Sequence, residues 1–304
     1  MIRSDFCAFI LTHGRPDAVY TYSQLRVAGY TGKIYVVIDD EDATADKYRE
    51  RFGEEVLTFS KAEAAKTFDE GDNFDGRRGV VYARNTLCGL AAKVGCRYFL
   101  ELDDDYTSFF LRTDAAGGYG ATRVRKTMDL ILEAMLSFYK TTPIMTIAMS
   151  QGGDHIGGSG GAQDIRLSRK AMNAFICSVE RPLNFVGRIN EDVNLYVTGN
   201  RRGELYFTTK LVQLNQKQTQ ACSGGMTELY LDQGTYIKSF YSVMYEPSCV
   251  QVGTLTDSRS NVQSRFHHAI SWPHTSPMIL GEQHRKSPRR REDSGERVWA
   301  LTSK

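Results

Sequence analysis

The chain has 304 residues, 41% of them hydrophobic and 24% charged, with 38 Lys+Arg against 36 Asp+Glu. This composition excludes a disordered or fibrous chain and suits one large or two modest globular domains with ample core. A net charge of +2 argues against a domain that is basic in bulk, and no stretch approaches the ~20 apolar residues of a membrane span.

The charge is unevenly placed. Residues 285–304 hold seven Lys/Arg and three Asp/Glu, so +4, which leaves −2 for the body. A domain over 1–280 and a basic flexible tail over 281–304 are therefore expected. The run Arg285-Lys-Ser-Pro-Arg-Arg-Arg291 suits a polyanion or simply water. Six scattered cysteines with no C-x-x-C pair read as reduced core residues, neither a disulfide framework nor a zinc site. Met1 to Phe6 lead straight into a strand pattern, so no signal peptide and a cytoplasmic protein are expected.

In chain order, Phe6 to Leu11 is a continuous apolar run and predicts a first central strand. It ends in Thr12-His-Gly-Arg-Pro16. Gly14 frees the backbone to turn, and Pro16 suits a first helical turn. Such a junction can present N–H groups and a cation to phosphates, with Arg15 as the candidate contact. Lys33 to Asp40 is a second strand ending in acids, and Asp39 is placed to hydrogen-bond a base or ribose. A charged helix over 43–52, a strand over 56–59 and a polar Gly/Asp-rich loop over 70–76 follow.

Residues 78–94 carry helical apolar spacing with Gly95 as a stop, and Arg84-Asn85 interrupts it with a cation and an amide. These two read either as a solvated face or as a pair reaching toward a nucleotide. The next strand, Tyr98 to Leu102, runs into Asp103, Asp104 and Asp105. Three adjacent carboxylates repel one another and are costly to desolvate together. Asp103 and Asp105 point the same way in extended backbone while Asp104 points the other. Two hard oxygen ligands side by side suit Mg²⁺ or Mn²⁺ shared with phosphates; the bland alternative is a solvated acidic loop. The first ~110 residues thus alternate strand and helix, as a parallel α/β sheet does, and ligands collect at the carboxyl ends of such strands. No G-x-G-x-x-G and no G-x-x-x-x-G-K-[ST] occurs, which disfavours dinucleotide oxidoreductases and P-loop enzymes.

The second half predicts a helix over 122–140, a strand over 144–149, a glycine-rich loop over 151–161 and a helix over 167–179. A strand pair over 205–214, a helix over 227–240 and a strand over 243–252 follow. Glu191-Asp192 fit the front of a short helix, where acids complement the dipole. His267 and His268 stand together near the end, with His274 beyond.

This order of parts resembles the GT-A glycosyltransferases: an α/β single domain with a central, mostly parallel sheet flanked by helices. Its nucleotide-binding half would be 1–110 and its acceptor-binding half 111–280. The carrying residues are Thr12 to Arg15, Asp39, the Ala83-Arg-Asn85 helix, the D-x-D at Asp103–Asp105 and Glu191-Asp192. Three runs resemble the TET-associated glycosyltransferases of bacteriophages: Leu100-Glu-Leu-Asp-Asp-Asp-Tyr106, Arg188-Ile-Asn-Glu-Asp-Val-Asn194, and His267-His-x-Ile-x-Trp-Pro-x-x-x-Pro-Met-Ile279.

That resemblance implies transfer of a sugar from a nucleotide-sugar, with UDP-glucose expected, to 5-hydroxymethylpyrimidines in phage DNA, with 5-hydroxymethylcytosine expected. Mn²⁺ or Mg²⁺ would be held by Asp103, Asp105 and a C-terminal histidine, His268 first, then His267 and His274. Thr12, Arg15, Asp39, Arg84 and Asp104 would contact the nucleotide-sugar. Asp192 would be the base of an inverting reaction, oriented by Glu191. A base inside a duplex is out of reach, so the acceptor would be extruded or single-stranded. Competing readings are a polysaccharide, lipid or protein acceptor, a nucleotidyltransferase, and a non-catalytic DNA-binding module.

Overall fold

The structure is a computed structural model that describes residues 3–113, 118–155, 174–217, 237–255 and 265–275. The first half alternates β1 (Phe6–Leu11), α1 (Tyr20–Ala28), β2 (Lys33–Asp39), α2 (Ala45–Phe52), β3 (Val56–Phe59), α3 (Lys61–Ala65), α4 (Val81–Lys93) and β4 (Tyr98–Asp103). Then come β5 (Tyr106–Thr113), β6 (Tyr119–Arg123), α5 (Met128–Thr141), β7 (Thr146–Ser150), β8 (Ala174–Ser178), α6 (Glu191–Arg201) and β9 (Tyr206–Gln216). A helix over 237–245, α7, precedes a hairpin of β10 (Val250–Leu255) and β11 (Arg265–Ile270), and a single turn, α8 (Trp272–Thr275), follows.

Nine of these strands form one sheet in the order β3-β2-β1-β4-β8-β7-β9-β5-β6. The four strands of the first half are parallel, as the alternating pattern predicts. Beyond β4 the sheet is mixed: β8 is antiparallel to β4 and β7, and β9 is parallel to β7.

The apolar run of β1 is buried along its whole length because both faces are covered. Phe6, Ala8 and Ile10 pack with Leu25 of α1 and with Leu132 and Leu136 of α5. Cys7, Phe9 and Leu11 pack with Leu87 and Ala91 of α4 and with Val193 and Val197 of α6. Burying a Leu- or Phe-sized side chain contributes about 1.5–3 kcal/mol, so these two layers supply the main driving force.

Several elements differ from the sequence reading. Residues 174–178, expected in a helix, form strand β8 with all five residues buried. A short, wholly apolar run looks the same in a buried helix and in a strand covered on both faces. The helix expected over 122–140 starts at Met128, and Tyr119–Arg123 form an edge strand instead. Strand β5 had no prediction. The expected strand pair over 205–214 is one long strand. Around Pro247 the expected strand divides: residues up to 245 are helical, and β10 begins at Val250. Residues 156–161, 167–173 and 227–236, where a loop and two helices were expected, lie outside the described residues, as does the tail.

Candidate active site

Asp104 and Asp105 alone join β4 to β5, although three strands lie between those two in the sheet. Two residues reach only about 7 Å, so the sheet must curl until β5 starts at the carboxyl end of β4. Thr21 of α1 holds this junction. Its Oγ1 donates to the Asp103 carbonyl at 2.6 Å and its N–H to the Asp104 carbonyl at 3.1 Å. The Tyr106 N–H donates to Thr21 Oγ1 at 3.0 Å.

The three aspartates separate as strand alternation predicts. Asp104 turns into the β1 junction and is buried. Thr12 Oγ1 donates to its Oδ2 at 2.6 Å, and Arg15 Nη2 lies 3.0 Å from its Oδ1. With the Thr12 proton committed there, the Tyr48 hydroxyl donates to Thr12 Oγ1 at 2.8 Å and accepts from the Arg15 N–H at 2.8 Å. Burial pushes Asp104 up to about 6, against Arg15 and Thr12. Thr12, Arg15 and Asp104, all expected to touch the nucleotide-sugar, thus brace one another. Only Arg15 among them keeps a third of its side chain exposed.

Asp103 lies on the face of β4 that also carries Phe99 and Glu101, opposite α4 and α6. Arg84 of α4 is buried between them. Its Nη1 donates to Glu101 Oε1, its Nη2 lies 3.3 Å from Asp103 Oδ1, and its Nε lies 3.2 Å from Glu191 Oε1. The Nε contact is electrostatic, because it lacks hydrogen-bond geometry. Burial alone would lower the guanidinium pKa, but four surrounding acids raise it, so Arg84 stays charged. Arg84 was expected to reach the diphosphate. The structure instead makes it an internal bridge, because three carboxylates surround a side chain that is 1% exposed. Asn85 likewise faces inward and exchanges two hydrogen bonds with the Phe185 backbone.

Glu191 is thus held by Arg84, while its neighbour Asp192 is half-buried at the start of α6. Asp192 is close enough to raise the pKa values of Glu101, Asp103 and Glu191. Six carboxylates (Glu101, Asp103, Asp104, Asp105, Glu191 and Asp192) therefore gather around two guanidinium groups. Burial pushes Glu101 up to about 8 and Glu191 up to about 7. Burial and then the charges of Asp103 and Asp104 push Asp105 up to about 7. Such a site draws protons or a cation.

Asp103 and Asp105 fit a divalent cation as two hard oxygen donors short of positive charge. His268 was the expected third ligand. It lies on β11, and Asn190 Nδ2 stands 3.2 Å from its Nδ1. The Asn190 amide nitrogen also donates to the Lys238 carbonyl at 2.6 Å, so that face of the ring meets a donor. Burial, with His267 and Lys238 nearby, pushes this ring down to about 4. Among the described residues no three His, Cys, Asp or Glu side chains form a metal-holding group.

At the end of β2, Asp39 is almost wholly buried. His13 Nδ1 lies 2.7 Å from its Oδ2 and Lys61 Nζ lies 3.1 Å from its Oδ1. Burial would raise this carboxyl, but His13 and Lys61 hold it below the usual range. Asp42 accepts from the Gly14 N–H at 2.7 Å and fixes the turn.

Three residues of this edge had no assigned role: His13, Glu101 and Arg188. The signal for Glu101 was an acid inside an otherwise apolar strand. Arg188 is buried and reaches Glu70, Asp72 and the Gly76 carbonyl, so it ties the 70–76 loop to the segment before α6. Nothing local in the sequence announced it.

Ligands of such a sheet bind at the carboxyl ends of its strands, where this acid-rich edge lies. Residues 6–225 match the TET-Associated Glycosyltransferase family, and the chain belongs to it. It is a glycosyltransferase. Among solved structures, it is similar to glucosyl-3-phosphoglycerate synthase from Mycobacterium tuberculosis in complex with Mg²⁺ and UDP, at 10% identity over 88% of each chain and TM-score 0.44. The same enzyme with Mn²⁺ and UDP-glucose gives 10% identity, 88% and 86% coverage and TM-score 0.45. S. aureus TarS 1-349 gives 11% identity, 69% and 60% coverage and TM-score 0.37. No curated protein sequence matches the chain. Among the described residues no helix is long and apolar enough to cross a membrane.

Proposed function

We propose that this enzyme transfers glucose from UDP-glucose to the hydroxymethyl group of 5-hydroxymethylcytosine in DNA. The donor assignment is supported by Asp39, Arg15 and the acidic turn meeting at one edge, and by the UDP-glucose complexes of similar structures. The acceptor assignment rests on membership of the TET-Associated Glycosyltransferase family and on the hydroxymethylpyrimidine acceptor that the resemblance implies. Asp103 and Asp105 would hold Mn²⁺ or Mg²⁺, which when bound stabilises the departing diphosphate.

The observation that carries the mechanism is the division of labour between Glu191 and Asp192. Arg84 holds Glu191 in place, whereas Asp192 is half-buried and within electrostatic reach of Asp103. Asp192 takes the proton of the acceptor hydroxyl as the C–O bond forms at the anomeric carbon, on the side opposite the leaving UDP, so the reaction inverts. Glu191 and Arg84 position the start of α6 for this step.

The test is incubation with UDP-glucose, Mn²⁺ and DNA containing 5-hydroxymethylcytosine, followed by nucleoside mass spectrometry. A hexose on the modified base, absent with EDTA or unmodified DNA, is expected. Metal-dependent UDP release with no adduct would overturn the acceptor.

A further inference from the structure

Beyond β4, the strands that reach this edge end in amides. Strands β4, β7 and β9 point the same way, because β8 is antiparallel to β4 and β7 while β9 is parallel to β7. Gln151 follows β7 and Gln216 closes β9, and Gln151 Nε2 donates to Gln216 Oε1 at 3.3 Å.

Contacts on two sides locate this pair. On one side, Gln216 is in register with Tyr106, and the Lys217 N–H donates to the Asp105 carbonyl at 3.2 Å. On the other, Asp154 Oδ2 accepts from the Gln151 N–H at 3.0 Å. Asp154 is close enough to α6 that, after burial, its charge joins that of Asp192 in raising the Tyr196 phenol. Asp192 and Tyr196, four residues apart, share a helix face. The amide pair thus lies beside the acidic turn.

Its support is rigid. Ser150 Oγ donates to the Val212 carbonyl at 2.9 Å, so it accepts from His155 Nε2 at 2.8 Å. Both residues are buried, and this bond fixes the turn that follows Gln151. The two glutamines are half-buried, and among the described residues Gln151 Oε1 and Gln216 Nε2 take no other hydrogen bond. The pair therefore keeps one acceptor and one donor uncommitted among the described residues. A cytosine offers the complement, an exocyclic amine beside the N3 lone pair.

We propose that Gln151 and Gln216 hold the Watson–Crick edge of the extruded hydroxymethylpyrimidine, Gln151 Oε1 accepting from the exocyclic amine and Gln216 Nε2 donating to N3. This rests on the DNA acceptor proposed above. Holding that edge fixes the orientation of the base beside the acidic turn.

The test compares wild type, Q151A, Q216A and Q151E on single-stranded oligonucleotides carrying 5-hydroxymethylcytosine or 5-hydroxymethyluracil. Each alanine variant is expected to lose about fivefold to a hundredfold in kcat/KM on the cytosine substrate, the range for a bidentate base contact. UDP affinity in Mn²⁺ and melting temperature serve as folding controls. Q151E still accepts from an amine but repels the O4 of uracil, so its cytosine-to-uracil preference rises by about fivefold or more. A merely structural role would lower both substrates equally. Alanine variants with wild-type kcat/KM, or an unchanged preference in Q151E, overturn the proposal while leaving the DNA acceptor standing. A wild type that releases UDP yet modifies neither oligonucleotide overturns the acceptor, and this assignment with it.

Discussion

Asp192 and Glu191 are adjacent acids with different surroundings. Glu191 is buried against Arg84, and burial pushes it up to about 7. Asp192 is half-buried and within electrostatic reach of Asp103. D192N keeps the shape and removes the proposed base, so turnover should fall by about 10²–10⁴, the usual contribution of a positioned base, while Mn²⁺–UDP affinity is kept. Steady-state transfer and UDP titration check both halves, and turnover near wild type would remove Asp192 from that role. Asp103 and Asp105 differ from Asp104 in the same local way. Alternation of the backbone sends Asp104 to Thr12 and Arg15 and leaves the other two for the edge.

Helix α6 depends on the segment before it. Asn190 begins it in a left-handed conformation, φ 55°, and Gly187 three residues earlier has φ 80°. A Cβ at Gly187 would stand 2.5 Å from Asn194 Nδ2 and 2.8 Å from the Tyr245 ring. G187A should therefore destabilise by about 1–3 kcal/mol or more from backbone strain alone. Urea unfolding measures it, and an unchanged midpoint would contradict the crowding.

Arg188 is the stronger tie. It is 2% exposed and pairs with Asp72 and Glu70 across 116 and 118 residues, and Tyr241 adds a hydrogen bond to Asp72. R188A leaves Asp72, 8% exposed, without its guanidinium partner, so a loss of about 3–5 kcal/mol is expected. The same unfolding curve reads it, and a loss within ±0.5 kcal/mol, the usual range for a neutral surface change, would mean that the clamp carries no stability.

Across the whole molecule, the acid cluster makes stability depend on pH and metal. Glu101 ordinarily titrates near 4.5 and is pushed up to about 8 in the fold. Between those values the folded, metal-free protein keeps a proton that the unfolded chain has released, so its stability falls as pH rises through that window. Glu191 and Asp105, both pushed up to about 7, act in the same direction. A divalent cation bound at this cluster, as proposed, would replace those protons. Mn²⁺ should therefore raise Tm more at pH ~8 than at pH ~5.5, because binding must displace protons at the lower pH. Thermal melts with and without EDTA at both pH values decide it. An equal Mn²⁺ shift at the two pH values would show that the cluster does not titrate with metal.

The elements that were legible in sequence are those with a local signature. The continuous apolar runs of β1 and β2, the helical spacing around Arg84, and three acids after a buried strand depend only on residue order and backbone periodicity. The match over residues 6–225 agrees with the family whose resemblance is carried by residues 100–106 and 188–194. Strand β8 failed because a five-residue apolar run has no period of its own, and β5 because its apolar alternation is weak. Whether Arg84 faces a ligand or Glu101 depends on which side of α4 meets β4, and only packing decides that. The same holds for Arg188 against Glu70, for Gln151 against Gln216 65 residues away, and for the Asn190 amide against His268. The sequence by itself determined which strands end in acid, because local order sets backbone alternation. The tertiary structure decided which charge meets which, because charges placed far apart in the chain are brought into contact only when the sheet curls and its two helical layers close.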